Sequence, residues 1–128
     1  MRLLLDTQAF LWFLLDDPKL RATARSLVAN ANNEIEVSPA TYWEIAIKIA
    51  LRKYELPEPF EVFMEREIAI NDFHILHIEL KHVALLTTMP FHHRDPFDRL
   101  LIAQATAERI PIVSADTAFD AYPVTRLW

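Results

Sequence analysis

Short apolar runs alternate with stretches of helical periodicity along the whole chain, and this alternation constrains the fold more than any other feature. Leu3-Leu4-Leu5 stops at Asp6, and the segment from Thr7 to Leu15 then places Phe10, Phe13 and Leu14 at helical spacing. Asp17-Pro18 has the form of a helix start, with Asp as cap and Pro in the first turn. Leu20, Ala24, Leu27, Val28 and Ala31 carry that period to about Asn32-Asn33. Glu34-Ile35-Glu36-Val37-Ser38 alternates polar and apolar side chains as a short strand does, and Pro39 opens a helix with Trp43, Ala46, Ile47, Ala50 and Leu51 on one side. After the Leu56-Pro57-Glu58-Pro59 break, the spacing predicts a helix from Phe60 to Ile70, a strand from Phe73 to Ile78 and a helix from Glu79 to Thr88. Met89 to Arg94 reads as a loop, Asp95-Pro96 starts a helix to about Arg109, Ile110 to Ser114 forms a short buried strand, and Val124 to Trp128 is the last strand. Strands separated by helices of about ten to fifteen residues predict a three-layer α/β/α sandwich with a mainly parallel central sheet, one domain spanning residues 1–128.

Composition narrows the function. A chain of 128 residues, 52% hydrophobic, is large enough for one ordinary core. Thirteen Lys plus Arg against eighteen Asp plus Glu leave a formal charge of -5, so this is no basic nucleic-acid clamp, and any bound nucleic acid needs positive charge from another source. The absence of cysteine excludes a disulfide framework, a zinc-thiolate site and a thiol nucleophile, and it suits a reducing compartment, with the cytoplasm as the expected location. The apolar run from Ala9 to Leu15 is far shorter than the roughly 20 residues a bilayer span requires. Asp6 would interrupt the apolar part of a secretory signal and no small-x-small cleavage site follows, so residue 1 is read as the mature start. Glycine is absent altogether, so no glycine-rich phosphate loop exists and ATP, GTP and Rossmann cofactors are poor candidates.

In an open parallel sheet, ligands bind in the crevice beyond the carboxyl ends of the strands. Asp6 directly follows the first strand, Asp116 follows the Ile110 to Ser114 strand, Asp98 lies in the first turn of the helix from Pro96, and Glu44 lies early in the helix after Val37. Each acid also has an ordinary structural explanation. Asp6 and Asp116 can cap the helices that follow them, Asp95-Pro96-Phe97-Asp98 has the form of a capping box, and Glu44 stands four residues before Lys48 as in a surface pair. Together they are harder to explain, because like charges crowded at one sheet edge repel unless a cation is present or some are protonated. An all-carboxylate oxygen set suits Mg²⁺ or Mn²⁺ better than zinc, and such a site would bring an anionic phosphodiester to an acidic protein. The chemistry implied is phosphodiester hydrolysis assisted by one or two metal ions.

Four segments in order, Leu3-Leu4-Leu5-Asp6-Thr7-x-Ala9, Ser38-Pro39-Ala40-Thr41-x-Trp43-Glu44-Ile45, Arg94-Asp95-Pro96-Phe97-Asp98-Arg99 and Ser114-Ala115-Asp116, resemble the PIN domain over essentially the entire chain, and in particular the VapC-type toxin ribonucleases of type II toxin-antitoxin pairs. The resemblance implies that Asp6, Glu44, Asp98 and Asp116 form the acidic metal site of an Mg²⁺- or Mn²⁺-dependent endoribonuclease, with Asp95 mainly a helix cap. It places Thr7 and Ser114 where a hydroxyl can orient a carboxylate or a water. It also implies a cognate VapB-type antitoxin whose C-terminal segment occupies a groove and blocks the site, and a homodimer. Asp120 lies outside the motif and is left out of the site. The missing glycines are a departure, since relatives commonly carry glycine in turns such as those near Asp16 and just before Ile110; Asp tolerates left-handed geometry better than Arg109 does.

Arg94, Arg99 and Lys48 are candidate contacts to RNA phosphates, against the plainer reading of an ordinary charged surface. His92-His93 precede the acidic helix and can touch RNA or assist proton transfer, but all five histidines are read as structural or solvent-facing. Trp12, Phe13, Phe60, Phe63 and Met64 exceed what one helix face buries, with core packing preferred and a partner-facing role for some of them as the alternative. Two other functions compete. A receiver-like module or aspartyl-phosphate phosphatase shares the acidic magnesium pocket, but Gln8 stands where the phosphatase wants a second Asp, and the receiver's acidic doublet and lysine are missing. A catalytically silent PIN-type binding module would keep the partner and lose the chemistry.

Overall fold

The computed structural model describes residues 1–128. Five strands form one parallel sheet in the order β3-β2-β1-β4-β5, where β1 is Arg2–Leu5, β2 Glu34–Val37, β3 His74–Ile75, β4 Ile112–Val113 and β5 Arg126–Leu127. The helices are α1 Thr7–Leu14, α2 Ala22–Ala29, α3 Pro39–Ala50, α4 Phe60–Ile70, α5 Leu80–Leu86 and α6 Pro96–Glu108, with a 3-10 turn at Thr117–Ala121. No helix is long and apolar enough to cross a membrane.

The uninterrupted Leu3-Leu4-Leu5 run is explained by burial on both faces. Leu3 and Leu5 belong to a core with Phe10, Val28, Ile35, Ile45, Phe63 and Phe73, while Leu4 points the other way into a second core with Leu101, Ile102, Ile112 and Phe119. All three leucines are fully buried. Burial of one such side chain stabilises the fold by about 1.5–3 kcal/mol, which is why a four-residue strand suffices to hold the sheet centre.

Strand order reverses at β1: the chain steps outward through β2 and β3, then returns to the other side of β1 for β4 and β5. That switch point opens a crevice at the carboxyl ends of β1 and β4. There the Asp6 N–H donates to Val113 O at 3.1 Å, so the residue after β1 is tied to the end of β4.

Several boundaries differ from the sequence expectation. Asp17-Pro18 does not start α2, because the Asp17 side chain accepts from Lys19 N–H at 2.9 Å in a local turn and the helix waits until Ala22. The strands expected at 73–78, 110–114 and 124–128 shrink to two residues each. Pro111 has no N–H to contribute to a ladder, although its carbonyl accepts from Leu4 N–H at 3.0 Å. The buried stripe of α3 is Ala40, Thr41, Glu44 and Ile45, while Trp43, Ala46, Ala50 and Leu51 of the expected face are exposed. Two polar residues on the inner stripe mislead a purely apolar period.

Phe63 and Met64 are core residues, and Trp12, Phe13 and Phe60 are partly buried against the same cluster. The left-handed turns fall where glycine is missing: Asp16, Arg52, Asp72 and Arg109 have φ of 51, 60, 54 and 56°.

Candidate metal centre

Asp6, the first residue past β1, caps α1 by accepting from Ala9 N–H at 2.8 Å. The capping explanation is therefore correct, and yet it leaves the carboxylate buried at the switch point. Burial pushes its pKa up to about 6, and the charges of Asp116 and Glu44 push the same way; hydrogen bonds with Ser114 and Ala9 only partly offset this. The same Ser114 accepts from Asp116 N–H through Oγ at 3.0 Å. The serine thus links two of the acids.

Glu44 projects from the buried stripe of α3 and forms no ion pair with Lys48. Its Oε1 accepts from Thr7 Oγ1 at 2.7 Å, and Thr7 in turn lies 3.3 Å from the Thr41 hydroxyl. Burial raises its pKa first and the Asp95 charge adds to that, against Thr7 and Lys48, which lower it.

Asp95 is the cap of α6, its Oδ1 accepting from Phe97 N–H at 2.8 Å and Asp98 N–H at 3.2 Å. The capping box is not reciprocal, because the Asp95 N–H goes to His93 Nδ1 at 3.2 Å. Asp98 is left with its carboxylate turned to the crevice. Burial, followed by the charges of Asp95, Asp6, Glu44 and Asp116, pushes its pKa up to about 8.

Asp116 caps the 3-10 turn through Oδ1, which accepts from Ala118 N–H at 2.9 Å. Its Oδ2 lies 3.1 Å from His93 Nε2, which is also 3.1 Å from Asp98 Oδ2. Ligand atoms of His93, Asp98 and Asp116 all fall within 4.8 Å of one another. His93 was expected to be structural or solvent-facing, and the structure places it inside the acidic cluster. The signal available was its position two residues before Asp95, but nothing in the sequence says which way a loop histidine turns.

Two other groups of close acidic and histidine ligands occur, Glu34-Glu36-His74 and Glu79-His82-Glu108. Each already has a cation: Arg2 bonds Glu36 at 3.0 Å and Lys81 bonds Glu108 at 2.7 Å. Asp6, Glu44, Asp98 and Asp116 have no Lys or Arg partner. Only His93 meets any of them. Repelling carboxylates, with the pKa values of Asp6, Glu44 and Asp98 forced upward, are what a hard divalent cation relieves, so four carboxylates with one histidine beside them fit Mg²⁺ or Mn²⁺. The largest cavity, about 470 Å³, lies elsewhere, lined by Ile49, Arg52, Tyr54, Leu56, Pro59 and Phe60. A cation that keeps several waters needs no such volume.

Among the expected RNA contacts, Arg99 is overturned. It is buried, and its guanidinium donates to Pro90 O at 2.8 Å and Met89 O at 3.2 Å, with the Phe91 ring 3.9 Å away. It ties the loop before α6 to that helix, and its burial turns it away from a phosphate backbone. Arg94 is exposed, and Lys48 is half-buried with its ammonium 5.9 Å from the Tyr54 ring. Asp120 pairs with Arg126 at 2.9 Å, outside the cluster.

A search of curated proteins returns no match. Among solved structures, the chain resembles VapBC2 from Rickettsia felis, crystallised bound to a DNA fragment from their promoter, with a TM-score of 0.72 and 19% identity over 100% of this chain and 99% of that one. FitAcB from Neisseria gonorrhoeae gives a TM-score of 0.71 at 20% identity, covering 98% and 96% of the two chains. VapBC-1 from nontypeable Haemophilus influenzae gives 0.62 at 15% identity, covering 99% and 97%. At such identities the likeness establishes the fold. The family model for the PIN domain matches residues 3–124, with the four acids inside the matched span, and this chain belongs to the PIN domain family.

Proposed function

We propose that this protein is a metal-dependent endoribonuclease toxin of the VapC type, hydrolysing RNA phosphodiester bonds to leave a 5′-phosphate and a 3′-hydroxyl. The observation that carries the reading is that Asp98 and Asp116 offer ligand atoms within 4.8 Å of each other, with the charges of Asp6 and Glu44 near enough to help push the Asp98 pKa up to about 8 and no Lys or Arg bonded to any of the four. A bound Mg²⁺ or Mn²⁺ would supply positive charge to the phosphate under attack and to the oxygen that leaves. The four carboxylates would hold it. Thr7 and Ser114 fix the orientation of Glu44 and Asp6 through the hydrogen bonds described above. Asp95 works from the side, capping α6 so that Asp98 points into the crevice. Arg94 and Lys48 are the cations available to guide an RNA backbone.

A VapB-type antitoxin as partner, a homodimeric state and a cytoplasmic setting belong to the same proposal. VapBC2, FitAcB and VapBC-1 share this fold over nearly the full chain. Two adjoining concavities, of about 470 and 350 Å³, share Tyr54, Glu55 and Leu56 and are bordered by Trp12 and Phe60. They offer apolar surface for the blocking segment of an antitoxin.

The test is cleavage of RNA by purified antitoxin-free protein with Mg²⁺, with Mn²⁺ and with chelator. Cleavage that depends on the metal and is lost in Asp98→Asn and Asp6→Asn supports the reading. Cleavage undiminished by Asp98→Asn, or no cleavage under any metal, defeats it. Phospho-aspartate formation with acetyl phosphate would point instead to a receiver or phosphatase.

A further inference from the structure

Asp116 is the acid whose position is least secured by burial. Its side chain is 43% exposed, against 20% for Asp98, and it stands at the head of a five-residue 3-10 turn. Its Oδ1 is held by Ala118 N–H, so the direction of Oδ2 depends on a single further group, the His93 ring. That ring is itself fixed from several sides. The ring meets Phe119 edge-on with centroids 5.8 Å apart and Nδ1 accepts from Asp95 N–H at 3.2 Å, while the main-chain N–H of His93 anchors the loop by donating to Tyr122 Oη at 2.8 Å. Because Nδ1 accepts, the ring hydrogen resides on Nε2, and Nε2–H donates to Asp116 Oδ2 at 3.1 Å with Asp98 Oδ2 equally near. Coordination of a metal by Nε2 would move that hydrogen to Nδ1, where it would face the Asp95 N–H, donor against donor.

We propose that His93 is a positioning residue for the metal site, holding Asp116 against Asp98 as a hydrogen-bond donor and not as a metal ligand; this rests on the metal-site reading above. A carboxylate oxygen has two lone pairs, so Oδ2 of Asp116 can receive the His93 hydrogen and still face a cation with the other. The loop before α6 and the 3-10 turn after β4 are thereby joined across the crevice by one side chain.

The experiment compares the full-length wild type, His93→Ala and His93→Gln by calorimetric titration with MgCl₂, and reads the ring nitrogens of nitrogen-15 histidine in the wild type by NMR before and after Mg²⁺. We expect the Nε2–H tautomer in both states, and Mg²⁺ affinity lower by about 10- to 100-fold in His93→Ala, as when hydrogen-bond partners of metal ligands are removed elsewhere. His93→Gln, whose amide can donate, should recover part of the loss. An unchanged Mg²⁺ affinity in folded His93→Ala, or loss of the Nε2 hydrogen when Mg²⁺ is added, overturns the proposal. Wild-type protein that shows the tautomer but binds no Mg²⁺ overturns the metal-site reading and this role with it, a result distinct from either of the others.

Discussion

The Thr7 hydroxyl donates to Glu44 Oε1 at 2.7 Å from a position where both residues are buried, one at the start of α1 and the other on the inner stripe of α3. The bond joins the helix that Asp6 caps to the helix that carries Glu44, so the geometry of two acids depends on one oxygen. Thr7→Val keeps the shape and removes the donor. A buried acceptor left unmade costs about 1–3 kcal/mol, and the Glu44 pKa should rise further. We expect a lower melting temperature and metal affinity weaker by about tenfold or more, with Thr7→Ser close to wild type. Chemical denaturation and Mg²⁺ titration of the two variants check this.

Metal-free protein should lose stability as pH rises from about 4 to 8. The folded-state pKa of Asp98 is pushed up to about 8 and that of Asp6 to about 6, so between their unfolded values and these the native state holds protons that the unfolded chain has released. The stabilising protonated forms are fully present below the unfolded pKa and are lost as pH passes the folded one, at no more than about 1.4 kcal/mol per pH unit per proton. At the acid end Glu108 acts oppositely. Its pKa is lowered to about 2 by the hydrogen bonds from Lys81 and His82, and the stability this provides disappears as pH falls toward that value. Denaturation in chelator across this range should therefore show an alkaline decline that Mg²⁺ suppresses and Asp98→Asn flattens; a flat profile in wild type would contradict it.

The positions of Asp6 and Asp116 are legible in the sequence because of where strands end. Leu3-Leu4-Leu5 can only be a strand buried on both faces, and the polar residue that follows it must lie at the sheet edge, which fixes Asp6 without any knowledge of tertiary contacts. Asp116 follows from β4 in the same way. Glu44 is singled out by its place early in the helix after Val37, while the apolar period of α3 points to the wrong face, since the polar Thr41 and Glu44 occupy buried positions on it. His93 and Arg99 were misread for a common reason. The His93 ring is directed by Phe119 and Asp116, distant in sequence, and the Arg99 guanidinium by the loop carbonyls Met89 O and Pro90 O; side-chain direction is set by such partners and not by local propensity.

Arg99 and Arg94, although both flank the acidic helix start, should separate cleanly on mutation. Arg99→Ala leaves the Met89 carbonyl without its donor and Pro90 O with only the Tyr122 hydroxyl, and should destabilise the protein by about 2–3 kcal/mol; Arg99→Lys should not restore it, because an ammonium cannot match the forked geometry. Arg94→Ala alters an exposed side chain and should shift stability by less than about 0.5 kcal/mol. If Arg94 meets an RNA phosphate, its loss weakens binding to all sequences alike and lowers the salt dependence of affinity. Urea denaturation together with binding of a short RNA at several salt concentrations distinguishes the two residues.

The chain makes its left-handed turns without glycine, and Arg109 is the clearest case. It is the residue after α6, with φ 56° and ψ 44°, and its backbone N–H closes the helix on Ala105 O and Thr106 O. An L-residue pays about 1–2 kcal/mol for this conformation, whereas glycine does not, although glycine loses more backbone freedom on folding. Arg109 is exposed and has no ion-pair partner, so little else is lost on its removal. Arg109→Gly should therefore stabilise the protein by about 0.5–1 kcal/mol, seen as a melting temperature higher by a few degrees, with metal binding unchanged. Arg109→Val should act in the opposite direction, because a β-branched side chain is least tolerant of positive φ. If both variants melt with the wild type, the left-handed conformation at the end of α6 carries no measurable cost.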